Sequence, residues 1–201
     1  MTNQEHQETQ TMLLEHLQPD KNSTIISTTL FPMISGNGFQ EVKYLDQVDR
    51  KINGWIEHVN SGITTELNKW ISVKPNNRRR RLSISNWVAV MERGTKTKGL
   101  HFHALLRLNY PNRIDHELKN QPITSHEIAI RSLKDRSAVN RFGFHLSSKP
   151  FVEVLGSEDI PRTVRYIVKS FQNCHQNGNF FSRLRVGSTR PHSRLKQQCQ
   201  E

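Results

Sequence analysis

The segment Leu100–Leu108 constrains this chain more than any other feature, because its side chains alternate without a break. In a strand, successive side chains point to opposite faces. Leu100, Phe102, Ala104, Leu106 and Leu108 therefore form one apolar row, and His101, His103, Leu105 and Arg107 form the other. The first row must be covered by other parts of the chain. The second carries two imidazoles on one face, spaced so that both can reach a single divalent ion. The preceding segment Ser85–Glu92 is also strand-like, and Arg93–Gly99 between them is polar with two glycines, the pattern of an antiparallel hairpin. With Trp87, Ala89 and Met91 as its apolar row, Val88, Val90 and Glu92 fall on the other side, where Glu92 beside the turn can add a carboxylate. Two neutral imidazoles and a carboxylate suit Mn²⁺ or Mg²⁺ with positions left for water or a phosphate oxygen.

Around this hairpin the chain reads as one domain with tails. Residues 1–22 are polar apart from Met12, Leu13, Leu14 and Leu17, and are expected to be a flexible tail with a helical turn or two. Thr24–Leu30 is β-branched and reads as a first strand. From Asp46 to Asn60 the period changes: Val48, Ile52, Trp55, Ile56 and Val59 recur at helical spacing, with Asp46 as a start signal and Gly62 past the end. Ser125–Lys134 reads as a helix, Phe151–Leu155 as a short strand, and Ile160–Asn173 as a further helix. The domain is expected over 23–180, with a basic tail over 181–201 carrying Arg183, Arg185, Arg190, Arg194 and Lys196.

Composition narrows the partners. The 201 residues hold 29 Lys+Arg against 18 Asp+Glu, a formal net charge of +11, which favours a polyanion. The longest apolar run, Trp87–Met91, is five residues, whereas a membrane span needs about 20. No secretory signal is visible at the start, and Cys174 and Cys199 are too few for a disulfide scaffold, so a reducing, intracellular location is expected. Nucleic acid is the leading partner. The run Arg78–Arg81 is either a solvated basic loop or a phosphate-contacting one, and also has the form of a nuclear-import signal; a cytoplasmic protein of a bacterial mobile element is the simpler expectation.

The helix over 160–173 carries a second chemical signal. Val164, Ile167, Val168 and Phe171 form a buried stripe, and Arg162, Tyr166, Lys169 and Asn173 form a polar one facing away from it. Tyr166 is not needed for packing. Alone it reads as an amphipathic surface residue; beside a histidine pair it reads as a nucleophile. A phenol attacking a phosphodiester needs its proton removed and positive charge at the non-bridging oxygens, which a metal ion and Lys169 can supply. Tyr166 would displace the 3′-hydroxyl and become linked to the 5′ phosphate, and a later 3′-hydroxyl can reverse the step. Tyr44 and Tyr110 are alternative nucleophiles, but neither has a lysine on a shared helical face.

These motifs resemble those of the HUH endonucleases, in particular the single-tyrosine replication initiators of rolling-circle plasmids, phages and small single-stranded DNA viruses. His101-Phe102-His103 resembles the His-hydrophobic-His motif, and Tyr166-Ile167-Val168-Lys169 is similar to the Tyr-x-x-Lys motif. Glu92 stands where such initiators often place a third metal ligand, and Ile25–Leu30 resembles their first strand motif. The resemblance spans about residues 24–173 and implies an α+β fold, a central antiparallel sheet of about five strands flanked by helices, as in an RRM-like palm. It implies origin-specific nicking and joining of single-stranded DNA, or of an origin hairpin, with Mn²⁺ or Mg²⁺ as cofactor. Arg107, Arg162 and Arg165, with Arg78, Arg79, Arg80 and Arg81, are the candidate DNA contacts. No Gly-x-x-x-x-Gly-Lys-Ser/Thr loop is present, so a host helicase, and a host polymerase, are the expected partners. A single-tyrosine transposase shares the same residues, and a non-catalytic RRM-like binding module is the non-enzymatic alternative.

Overall fold

In a computed structural model the described residues are 3–17, 20–33, 47–71, 82–93, 100–110, 112–146, 152–176 and 184–188. The elements in chain order are α1 (Asn3–Leu17), β1 (Ser23–Pro32), α2 (Val48–Leu67), β2 (Ser83–Arg93), β3 (Leu100–Asn109), α3 (Asn112–Leu118), α4 (Ser125–Leu133), α5 (Arg136–Arg141), β4 (Phe144–Leu146), β5 (Val152–Leu155), α6 (Asp159–Gln176) and β6 (Leu184–Ser188). All strand pairings are antiparallel, in the order β4-β1-β3-β2-β6, with β5 sharing the outer edge of β1. The fold is α+β, an antiparallel sheet five strands wide with flanking helices. β1 and β2, linked through α2, run parallel with β3 between them, a split βαβ arrangement.

The alternation of β3 sorts the interior into two cores. Phe102, Ala104, Leu106 and Leu108 join Trp87, Ala89 and Met91 against α2 to α5, whose inner residues include Trp55, Ile56, Ile128 and Val139. On the reverse face, Leu105, Val88, Val90 and Ile25 pack beneath Leu13 and Leu17 of α1 and Val164, Ile167 and Val168 of α6. Each such fully buried aliphatic side chain contributes about 1.5–3 kcal/mol of transfer free energy. Ile84 and Trp87 both reach the larger core although they are three residues apart, because the β2 register shifts between them. The backbone at this irregularity is satisfied from α2: Ile84 N–H donates to Asn60 Oδ1 at 2.7 Å, and Asn60 Nδ2 donates to Ile84 O at 2.9 Å.

Three sequence expectations change here. Residues 3–17 are a helix rather than a flexible tail, since Leu13 and Leu17 are both fully buried against α6 and the sheet. The polar composition of 1–22 hides a two-leucine stripe that suffices to dock one helix face. The chain after 181 is likewise not all tail, because Leu184–Ser188 adds to the edge of β2. Gly62 does not end the long helix, which continues to Leu67 by burying Ile63 and Leu67. On the histidine face of the sheet, α1 and α6 cover the Leu105 end. The residue before the long helix is Gln47, which makes no side-chain cap; Asp46 lies outside the described residues, as does Arg78–Arg81.

Candidate functional site

The site lies where α6 leaves the histidine face uncovered. β3 and β1 pair so that His103 stands opposite Thr29 and Arg107 opposite Ile25. Ser27, Thr29 and Phe31 of β1 therefore share a face with His101 and His103. The two imidazoles meet edge-on with centroids 4.8 Å apart, and His101 stacks on Phe31 at 5.9 Å. His103 Nδ1 lies 3.3 Å from Thr29 Oγ1. With Thr29 accepting from Nδ1–H, the ring lone pair sits on Nε2, the form in which an imidazole binds a metal.

α6 brings the tyrosine to this pair. Its buried stripe of Ile160, Val164, Ile167 and Val168 holds the helix down, so the opposite stripe is fixed in direction. Tyr166 is 52% exposed, unusual for a large ring in a packed helix, and its ring meets His103 at 5.7 Å and 84°. Arg162, Arg165 and Lys169 are exposed on the same helix, one turn or less away. Two motifs 63 positions apart in the chain are thus side by side. A cavity of about 630 Å³ opens beside the pair, walled by Thr29 and Phe31 of β1, Glu153 of β5, and Asp159, Arg162 and Tyr166 of α6.

Other expected residues fall differently. Arg107, a candidate DNA contact, is turned inward: it is 8% exposed, and its Nη2 donates to Asp20 Oδ2 at 2.9 Å, tying β3 to the turn that leads into β1. Glu92 is the register partner of His101, and its side chain lies outside the described residues. Among the described residues no group of three or more His, Cys, Asp or Glu side chains gathers as a metal site. The donor set that is described, two imidazoles on one strand face with one ring nitrogen held by a hydroxyl, fits a divalent ion that takes its remaining ligands from elsewhere. Arg183, Arg190 and Arg194 lie outside the described residues, as does the side chain of Arg185.

Four residues that matter carry no distinctive signal in the sequence. Thr29, Phe31 and Glu153 need the pairing of β1 with β3 and β5, although the alternation of β1 already sets Ser27, Thr29 and Phe31 on one face. His16 reads as an ordinary surface histidine, but it is half-buried, with Nε2 3.0 Å from Gly187 O. Burial lowers its pKa, against the raising effect of its backbone hydrogen bonds to Gly187 and Trp87, and nearby Arg107 lowers it further. No family model, curated protein or solved structure matches the chain.

Proposed function

We propose that this protein is a metal-dependent nuclease and strand transferase that nicks and rejoins single-stranded DNA through Tyr166. The observation that carries the reading is the contact of the Tyr166 ring with His103 at 5.7 Å, between motifs that lie on β3 and α6. Independent support comes from the net charge of +11, which suits a polyanionic substrate.

Tyr166 is 52% exposed, which leaves the residue accessible to a substrate strand. Attack forms the bond from the phenolic oxygen to phosphorus and breaks the bond to the 3′ oxygen, leaving the strand as a 5′-phosphotyrosine and a free 3′-hydroxyl. The phosphoester is retained, so attack by a 3′-hydroxyl restores a continuous strand and the free phenol. His101 and His103 would hold a divalent ion, which supplies Lewis-acid polarisation of the phosphate when bound. Lys169, one turn beyond Tyr166, and Arg162 and Arg165 add positive charge where the non-bridging oxygens gain negative charge. Initiation of rolling-circle replication at an origin, in a bacterial cytoplasm, is the biological setting we infer.

The test is a denaturing gel of protein with labelled single-stranded oligonucleotides and Mn²⁺. Label should travel with the protein, vanish in Tyr166→Phe, and require metal, so that EDTA abolishes it. Salt-sensitive binding with no adduct on any strand would instead identify a binding module.

A further inference from the structure

The cavity that His103 and Tyr166 line has a further wall that phosphate chemistry does not explain. Its wall carries two carboxylates, Glu153 and Asp159, and a strand with one negative charge per nucleotide is repelled from both. What a carboxylate wall accepts is a hydrogen-bond donor. The same wall holds Phe31, whose ring stacks on His101 and adds an aromatic contact for a base, and Arg162, which can neutralise the phosphate attached to that base. Its volume of about 630 Å³ is that of a small-ligand pocket and accommodates a nucleotide.

Resting on the nicking reading above, we propose that this cavity is a base-reading subsite that takes one nucleobase of the substrate strand and selects guanine over thymine through Glu153. Unpaired guanine offers two adjacent donors, N1–H and N2–H, to the two oxygens of one carboxylate. Cytosine and adenine each offer one exocyclic amine, and thymine offers a single N–H flanked by two carbonyls that the carboxylate repels. The order of preference is guanine, then cytosine and adenine, then thymine. β5 positions the reader: Val152 and Val154 pack on the larger core, which turns Glu153 to the other face, where it stands opposite Ser27. Glu153 is a specificity residue and takes no part in the bond exchange.

The test is competition binding by the full-length protein in EDTA, where strands bind without scission. The competitors are a 12-nucleotide thymine strand and the same strand with one central guanine, whose register can slide until the guanine meets the pocket. The guanine strand should bind about tenfold more tightly, the discrimination expected of one bidentate pair. In Glu153→Gln the difference should fall below about twofold while the all-thymine strand binds no more weakly, since a negative charge has been removed. Because Glu153 is exposed, the variant folds. Equal affinity of the wild type for both strands, or a preference that survives Glu153→Gln, overturns the proposal. A covalent adduct without base preference removes the subsite and leaves the nuclease standing; a Glu153-dependent preference without an adduct does the reverse.

Discussion

On one face of β3, Phe102, Ala104, Leu106 and Leu108 are each at most 1% exposed, closed over by four helices; on the other, Leu105 is as well buried, while His101 and His103 are only half-buried. One strand thus belongs to a dry core on one side and, on the other, to a core at one end and a solvent-reached pocket at its opposite end. The difference comes from what covers each face. Helices α2 to α5 cover the apolar row of the first, whereas α1 and α6 meet the second over Leu105, Val88, Val90, Ile25 and Leu155 and leave His101 and His103 half-buried. Rigid packing on the first face gives the imidazoles a fixed platform, and partial cover on the second leaves them open to solvent.

Truncation on the two faces should separate stability from activity most strongly. Phe102 packs edge-to-face on Phe144 at 5.9 Å inside the larger core, and Phe102→Ala should cost about 3–5 kcal/mol in urea unfolding. His103→Ala, one residue along, should change stability by less than about 1 kcal/mol while lowering adduct yield by about a hundredfold or more. If the two substitutions destabilise the fold equally, the division of β3 into a structural and a chemical face is wrong.

The larger core can also be tested at the sheet edge. A Cβ on Gly187 would lie 2.3 Å from Trp87 Cε2, and the indole cannot swing aside freely because its Nε1 donates to Asn53 Oδ1 at 2.9 Å. Gly187→Ala should therefore destabilise by about 1–3 kcal/mol and shift the tryptophan fluorescence. A neutral result would mean that β6 is not held against β2 in solution.

How much of this is legible in the sequence follows from which forces are local. The alternation in β3 and the 3.6-residue period in α6 name the faces, so the rows of Phe102 and His103, and the opposition of Val164 to Tyr166, are readable from the order of the amino acids alone. The hairpin register is not: the apolar rows put Glu92 on the histidine face, but a link read as Arg93–Gly99 would set it opposite Leu100, and its pairing with His101 comes from the structure. The docking of α1 is not readable, because Leu13 and Leu17 give a weak stripe whose burial depends on α6, about 150 residues later. Arg107 misleads for a related reason: its Asp20 partner is 87 positions away, and a strand arginine on a chemical face looks like a ligand contact until that partner is known. β6 is five residues long and contains a glycine, so only the free edge of β2 makes it a strand.

The chemical face has a finer test at Thr29. Its hydroxyl 3.3 Å from His103 Nδ1 fixes the ring that would bind metal, and partners of this kind are worth about 10–100-fold in affinity. Thr29→Val keeps the shape and loses the hydroxyl, so Mn²⁺ binding measured by calorimetry should weaken by about tenfold, with Thr29→Ser restoring it. Unchanged binding in the valine variant would show that the imidazole is oriented by packing alone.

The smallest effect expected belongs to the attachment of α1 to the sheet edge. His16 is held at its ring by Gly187 O, and Asn86 Nδ2 donates to its carbonyl at 2.6 Å, so one residue joins α1 to both β2 and β6. Burial lowers the His16 pKa below the ordinary imidazole value of 6.5, which means the unfolded chain takes up the proton first as pH falls. Stability is then complete above pH 6.5 and declines from there down to the lowered value, below which this contribution levels off. His16→Gln keeps a side chain able to donate to Gly187 O but does not titrate. Unfolding curves of the two proteins should therefore run parallel above pH 7 and converge or cross below pH 6.5, where only the wild type loses stability. A constant offset across that window would mean that the imidazole is solvated in both states and that burial of its ring contributes nothing to holding α1.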